Sequence, residues 1–261
     1  MPATTGVLTA AQAGTITLGG DLTVNRIGYG AMRITGKGIW GPPADPAAAI
    51  ATLRRAVELG VNFIDTADSY GPNVSEELIA EALFPYPKDL VITTKVGWTR
   101  HGAGVWQHNA SPAHIVEAIE GSLKRLRLDR IDIYQLHVPD PASSFDASME
   151  TLAKLKEQGK IRHVALSNVT LEHIERARKI VPIVSVQNAT ASLTVSGIMC
   201  LTIAKPTASH SCPGVRWHRV ARRMKWWKRS QPRAIRPRRL SRWPGCCAVR
   251  RSPCSFRAPA R

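Results

Sequence analysis

Residues 60–71 read GVNFIDTADSYG: a glycine, a short apolar run closing on Asp65, and a tyrosine, Tyr70, five positions further on. The same grammar recurs down the chain. VITTK (91–95), IDIYQLH (131–137), RHVALSN (162–168) and IVSVQN (183–188) are strand-length runs rich in β-branched residues, each ending in ionisable or amide side chains. Amphipathic runs of helical length separate them. Strands alternating with helices in this way predict parallel βα units, with the polar strand ends gathered on one face of the sheet.

The element boundaries follow from local chemistry. A hairpin is expected at Thr15–Leu18 and Leu22–Val24, turned at Gly19-Gly20-Asp21, and a first strand over Arg26–Gly30. The helix Pro46–Leu59 has Asp45 as N-cap, Pro46 at its first position and Gly60 as its stop. After the strand Val61–Asp65 comes the helix Val74–Leu83, then the strand Leu90–Lys95. Ser111 caps Pro112–Leu126, which leads into the strand Ile131–His137. The helix Ser144–Gln158 ends at Gly159, and the strand Arg162–Ser167 follows; Thr170 then caps Leu171–Ile180 before the strand Ile183–Gln187. These elements amount to about six βα-type strands. A closed (β/α)8 barrel needs eight, and such a barrel carries its active site at the C-terminal strand ends.

Those ends hold an Asp, a Tyr, a Lys and a His, a set suited to moving a proton to or from a carbonyl oxygen. A phenol titrates near pH ~10, too high for an efficient acid or base near neutrality. A neighbouring ammonium favours the phenolate, a carboxylate can hold that ammonium in place, and an imidazole can orient the substrate or share the proton. Each residue also has a plainer explanation taken singly: a cap or ion-pair partner for Asp65, a loop aromatic for Tyr70, a solvated strand end for Lys95, a structural imidazole for His137. Their placement at successive landmark positions favours the joint reading. His163 sits near the start of its strand, away from that face, and reads as structural. Gly28-x-Gly30 is no dinucleotide motif, because the third glycine and a directly following helix are missing; close approach of packed neighbours explains these glycines better.

The segments GYGAMR, GVNFIDTADSYG, TKVGW, LDRIDIYQLH, GKIRHVALSN and VSVQN, in that order, resemble the landmarks of the aldo-keto reductase superfamily over about residues 15–188. The variants GYGAMR and IWGPP look most like bacterial members related to pyridoxal reductases. The resemblance implies an α/β fold of the TIM-barrel type, binding NADPH in extended form without a Rossmann domain. It implies that Tyr70 is the general acid/base, that Lys95 lowers its pKa, that Asp65 pairs with Lys95 and that His137 contacts the carbonyl oxygen. Ser167, Asn168 and Gln187 match positions that bind the nicotinamide carboxamide. The implied reaction passes a hydride from the nicotinamide to an aldehyde or ketone.

Beyond about residue 188 the composition changes. Residues 1–188 hold nineteen Lys/Arg against nineteen Asp/Glu, whereas residues 189–261 hold seventeen Lys/Arg and no acid, so the net charge of +17 comes entirely from the tail. All five cysteines (Cys200, Cys212, Cys246, Cys247, Cys254) lie there too, without metal-ligand spacing, and read as incidental thiols. The aromatic stacking residue and the 2′-phosphate cluster that the family places in this region cannot be recognised, and with them goes the segment that would separate NADPH from NADH.

Codon logic gives a reason. Joining the last base of each codon to the first two of the next forces Glu from Met224-Lys225, Val from Trp226-Trp227, Ala from Trp243-Pro244 and Leu from Cys246-Cys247. With permitted codon choices the tail from 223 yields DEVVEAIAATRDPTPASVALAWLL, and residues 211–218 yield LPWGPLA. Both resemble late barrel elements. A one-base frameshift near Asn188 is therefore expected, leaving residues 1–188 as an incomplete six-strand barrel and 189–261 as a basic, largely irregular tail. Carbonyl reduction by descent, with activity lost or impaired, is the expected function. The competing reading is a non-catalytic remnant whose Trp/Arg tail adheres to nucleic acid or other polyanions without specificity. The N-terminus has no basic and apolar signal pattern, and no apolar run approaches membrane-spanning length, so a cytoplasmic location without membrane contact is expected.

Overall fold

The structure, a computed structural model, describes residues 7–188 and the backbone of residues 200–203. It opens with an antiparallel hairpin, β1 (Thr15–Leu18) and β2 (Leu22–Asn25). There follow β3 (Tyr29–Gly30), α1 (Pro46–Glu58), β4 (Phe63–Asp65), α2 (Val74–Leu83) and β5 (Val91–Val96). A second hairpin, β6 (Trp98–Gly102) and β7 (Val105–His108), precedes α3 (Pro112–Leu126). The chain then runs through β8 (Ile131–Leu136), α4 (Phe145–Glu157), β9 (Ile161–Ser167), α5 (Leu171–Ile180), β10 (Ile183–Asn188) and β11 (Cys200–Ile203). The main sheet has the order β11-β10-β9-β8-β5-β4-β3. Its six strands from β3 to β10 are all parallel, as the βα alternation predicts.

Three caps act where the local chemistry placed them, and Ser144, expected as the first residue of its helix, is a fourth cap. Asp45, Ser111, Ser144 and Thr170 each accept a hydrogen bond from the backbone N–H three residues on, satisfying donors that have no partner inside the helix. Every residue of β5 is buried, because helices cover one face of the sheet and the barrel interior the other. The first strand is shorter than Arg26–Gly30, since only Tyr29 and Gly30 pair with β4. Gly28 passes so close to Phe63 that a β-carbon there would lie 2.8 Å from its ring and 3.0 Å from its carbonyl oxygen.

Two further features differ from the sequence-based expectation. The β6–β7 hairpin lies in a stretch with no assigned element, where WTRHGAGVWQH mixes Trp, His and Gly without clean alternation. The second is β11, which falls in the basic tail and pairs antiparallel with β10, Ser185 facing Ile203 and Asn188 facing Cys200. A barrel of this type would place a parallel strand on that edge. The remainder of the tail lies outside the described residues.

The first hairpin closes the N-terminal end of the sheet. Leu18, Leu22 and Val24 bury themselves against Phe63, Val91, Ile133, Ala165 and Val184. At its turn, Asp21 accepts a 2.6 Å hydrogen bond from His163 Nε2 and pairs with Arg162 at 2.9 Å, so His163 is structural, as expected. Gly19 is required beside it: its φ is +63°, and a β-carbon would lie 2.3 Å from the His163 ring. Burial of the three apolar side chains contributes about 1.5–3 kcal/mol each. A half-exposed ion pair adds about 1 kcal/mol at most. Apolar contact therefore holds the plug, and Asp21 orients it.

Across the outer layer, buried Glu76 of α2 accepts from Arg125 Nε of α3 at 2.7 Å and from Thr94 Oγ1 of β5 at 2.6 Å. Replacing Glu76 by Ala strands a largely buried guanidinium and should cost about 3–5 kcal/mol in chemical denaturation. Asp21→Asn should behave differently. Slight burial raises the Asp21 carboxyl, but its bonds to His163 and Arg162 outweigh this and hold it below the usual carboxylate value. A lowered folded pKa gives stability that is present above the unfolded value near ~3.9 and lost as pH falls through the folded value. The wild-type advantage over Asp21→Asn, at most about 1 kcal/mol, should therefore appear at neutral pH and vanish in acid; an advantage independent of pH would contradict this account.

Candidate active site

The C-terminal strand ends converge on one buried ammonium. Lys95 on β5 is 1% exposed, and its Nζ donates to Asp65 Oδ2 on β4 at 2.6 Å, to the Thr66 carbonyl at 2.8 Å and to the Tyr70 hydroxyl at 3.3 Å. Three acceptors match the three N–H donors of an ammonium. Parallel register sets this up, since Asp65 pairs with Thr93 and Lys95 with Gln135 of β8. Gln135 completes the shell: its Nε2 donates to Asp65 Oδ1 at 3.0 Å and to Thr93 Oγ1 at 2.8 Å. The sequence-based set lacked Gln135, whose position two residues before His137 on the same strand face is the only signal that could have pointed to it.

The electrostatics define each group's state. Burial pushes the Tyr70 phenol up; the Lys95 ammonium pulls it down, while Asp65 works against that pull, and the phenol stays above its ordinary value. Lys95 thus acts on Tyr70 in the expected sense without overcoming desolvation. Burial alone would depress Lys95, but Asp65 and Tyr70 outweigh it and keep the ammonium charged. His137 sits just beyond β8, its ring edge-on to Tyr70 with centroids 5.8 Å apart. Burial, then the Lys95 charge, drives its pKa well below the ordinary imidazole value, so the ring is neutral. Its Nδ1 is buried without a partner among the described residues. A neutral imidazole beside a protonated phenol offers a hydrogen bond and a transferable proton to a single oxygen.

The amide-bearing ends of β9 and β10 form the neighbouring rim. Asn168, in left-handed backbone conformation (φ 54°), donates through Nδ2 to the His137 carbonyl at 3.0 Å and to Ser167 Oγ at 3.2 Å. Its own N–H donates to the Gln187 carbonyl at 3.1 Å. Gln187 Oε1 is buried with no partner among the described residues, an acceptor left open toward an N–H group. Asn188 instead clips β10 to the β9–α5 loop through both Val169 backbone groups. The structure therefore brings Asp65, Tyr70, Lys95 and His137 into one cluster and Ser167, Asn168 and Gln187 into an adjoining one.

The second hairpin supplies further groups that the sequence did not single out. Trp98 stands edge-on to His137 at 6.4 Å and stacks near His108 at 4.3 Å. Among the described residues Arg100 has no acid partner; its guanidinium donates to the carbonyls of Gly38, Ile39, Ser69 and Val105 and lies 3.7 Å from the Trp106 ring centroid. It ties the 36–41 loop and the hairpin to the residue before Tyr70. Among the described residues no cluster of three or more His, Cys, Asp or Glu side chains could hold a metal, and no helix is long and apolar enough to cross a membrane.

Comparison with known proteins agrees with this arrangement. Residues 26–202 match the aldo/keto reductase family. An uncharacterized oxidoreductase of Schizosaccharomyces pombe is 48% identical over 186 residues, 71% of this chain and 60% of that one. Pyridoxine 4-dehydrogenase of Escherichia coli is 46% identical over 183 residues, 68% of this chain and 64% of that one. Among solved structures, the glycerol dehydrogenase of Gluconobacter oxydans superimposes with a TM-score of 0.61 at 35% identity, covering 67% of this chain and 54% of that chain. An aldo-keto reductase of Klebsiella pneumoniae in complex with NADPH gives 0.52 at 27% identity, covering 66% and 53%. The chain thus spans roughly half to two thirds of the relatives it matches, and over that span its strands and landmark residues make it a member of the aldo/keto reductase family.

Proposed function

We propose that residues 26–188 carry the proton-transfer half of an NADPH-dependent carbonyl reductase, and that this chain as encoded has lost all or most of the activity. The observation that supports the chemistry is the buried Asp65–Lys95–Tyr70 chain with neutral His137 beside it. In this reading a small aldehyde or ketone places its oxygen between Tyr70 Oη and the His137 ring. The phenol, held above its ordinary pKa by burial, is protonated at neutral pH and donates its proton as negative charge develops on that oxygen. Lys95 stabilises the phenolate left behind, and Asp65, steadied by Gln135, keeps the ammonium in place. His137 orients the carbonyl without itself ionising.

The residues present fit the nicotinamide end of the cofactor. Gln187 Oε1 is an open buried acceptor for a carboxamide N–H, with Ser167 and Asn168 beside it. NADPH supplies the hydride when bound. NADPH is preferred over NADH in this proposal because relatives such as the Klebsiella pneumoniae enzyme are complexed with it. The loss of activity rests on the tail. Seventeen Lys/Arg and no acid replace the last βα units, and no stacking aromatic or 2′-phosphate cluster is recognisable there. We attribute this to a one-base frameshift near Asn188. The tail's cations would adhere to polyanions without specificity, and that adhesion should collapse with rising salt.

Three results check the proposal. The coding DNA around codons 185–195 should open a continuous, family-like frame in the other register; a stop-ridden alternative frame would refute the frameshift. The chain as encoded should show little or no NADPH-dependent carbonyl reduction, whereas the frame-restored protein should turn over, and Tyr70→Phe in that protein should lose about 10²–10⁴-fold in kcat. The pH profile of reduction by the restored protein should show no imidazole step between about pH 5 and 8, because His137 titrates well below its ordinary value. Activity should fall only on the alkaline side, as the raised Tyr70 phenol loses its proton.

A further inference from the structure

A cavity of about 400 Å³ opens beside the loop that carries Tyr70, lined among others by Asp68, Ser69, Trp98, His114, Glu117 and Arg125. None of Asp65, Tyr70, Lys95, His137, Ser167 or Gln187 lines it. Its volume falls within the range of small-molecule pockets, roughly 300–1,000 Å³.

The wall has buried polar atoms without partners. Asp68 is 7% exposed and Ser69 2% exposed, yet Asp68 Oδ1 and Ser69 Oγ have no hydrogen-bond partner among the described residues. His114 Nε2 is likewise buried and unpaired. Burial holds the His114 imidazole below its ordinary pKa against the pull of Glu117, and a neutral imidazole keeps one accepting nitrogen. The two guanidinium groups on the wall are bonded elsewhere. Arg100 gives four bonds to backbone carbonyls, and Arg125 gives Nε to Glu76 and Nη2 to Ser122.

Charge points the same way. Of the two guanidinium groups on the wall, Arg125 is bonded to Glu76 and Arg100 to backbone carbonyls, so neither is ion-paired with buried Asp68. Burial, then the Glu76 charge, pushes the Asp68 carboxyl well above its usual range. A cation in the cavity would favour the ionised carboxylate over the neutral acid that burial favours. Inorganic metal coordination does not suit the site, because no cluster of three or more His, Cys, Asp or Glu ligands exists among the described residues. Trp98 adds an indole, the best aromatic partner for a cation, and Glu117 a further carboxylate.

We propose that this cavity binds a small organic cation with N–H donors, a primary ammonium or guanidinium group, hydrogen-bonded to Asp68, Ser69 and His114 and lying against Trp98. The site is independent of the reductase reading and does not require turnover.

The test uses the full chain at fixed ionic strength, titrated with methylguanidinium and n-butylammonium chloride and followed by calorimetry and tryptophan fluorescence. A protein of net charge +17 repels cations in general, so saturable binding needs a built site. Both probes should saturate in the millimolar range. Tetramethylammonium, which lacks N–H groups, and neutral n-butanol should bind at least about tenfold more weakly, the equivalent of one charge-assisted hydrogen bond. Asp68→Asn should weaken both probes by about tenfold or more without lowering the melting temperature, since it removes an unpaired buried carboxyl. Should that variant fail to fold, Ser69→Ala and Glu117→Gln decide the matter, each expected to weaken binding severalfold. Absence of saturable binding, equal affinity for tetramethylammonium, or unchanged affinity in the variants would overturn the proposal.

Discussion

A buried ammonium needs acceptors for all its protons, and much of this molecule's functional face is arranged around supplying them to Lys95. An unpaired charge at that depth would cost several kcal/mol. Asp65, the Thr66 carbonyl and the Tyr70 hydroxyl meet the need, and Gln135 in turn holds the far oxygen of Asp65. These groups come from β4, the loop after it, β5 and β8, so the register of three parallel strands is tied to a single ion. The same constraint gives the cluster its chemistry. Desolvation keeps the phenol protonated and the imidazole neutral, with the charged ammonium beside both.

The outer layer repeats the pattern with a different balance. Glu76, Arg125 and Thr94 form a satisfied buried network joining α2, α3 and β5, whereas Asp68 is left over beside a cavity. Natural interiors leave few buried polar atoms unpaired. Several of the exceptions here (His137, Gln187, Asp68, Ser69 and His114) border either the candidate site or that cavity. The first hairpin shows the opposite economy, with apolar burial holding the plug and a few polar contacts around Asp21 orienting it.

The elements with strong local chemistry were legible before the structure. The helices Val74–Leu83, Pro112–Leu126 and Leu171–Ile180 start and stop where the sequence places them, because 3.6-residue periodicity and, in the last two, side-chain caps are short-range effects. The β6–β7 hairpin was not legible, since its pairing is secured by Arg100 reaching carbonyls some thirty to sixty residues away in sequence and by Trp98 packing on Trp106. Nor was β11, whose antiparallel place on the edge of β10 reverses the direction that a repeating βα pattern predicts. Among the candidate site residues, Asp65, Lys95 and His137 were legible by residue type at strand ends, and Tyr70 by its place in the loop after Asp65. Gln135 was not, because an amide within a strand looks the same whether it faces helices or a buried carboxylate.

By itself, then, the sequence determined the order of six parallel βα units, the caps that bound their helices, the gathering of polar strand ends on one rim, and the abrupt change to an acid-free tail after Asn188. Those features depend on neighbours within a few turns of chain. Only the tertiary structure decided that Lys95 would have three acceptors, that His137 would be neutral, that Tyr70 would sit above rather than below its ordinary pKa, and that Asp68 Oδ1 would be buried without a hydrogen-bond partner among the described residues. Protonation and charge balance are set by desolvation and by groups arriving from distant strands and helices, and neither can be read from a residue's local sequence.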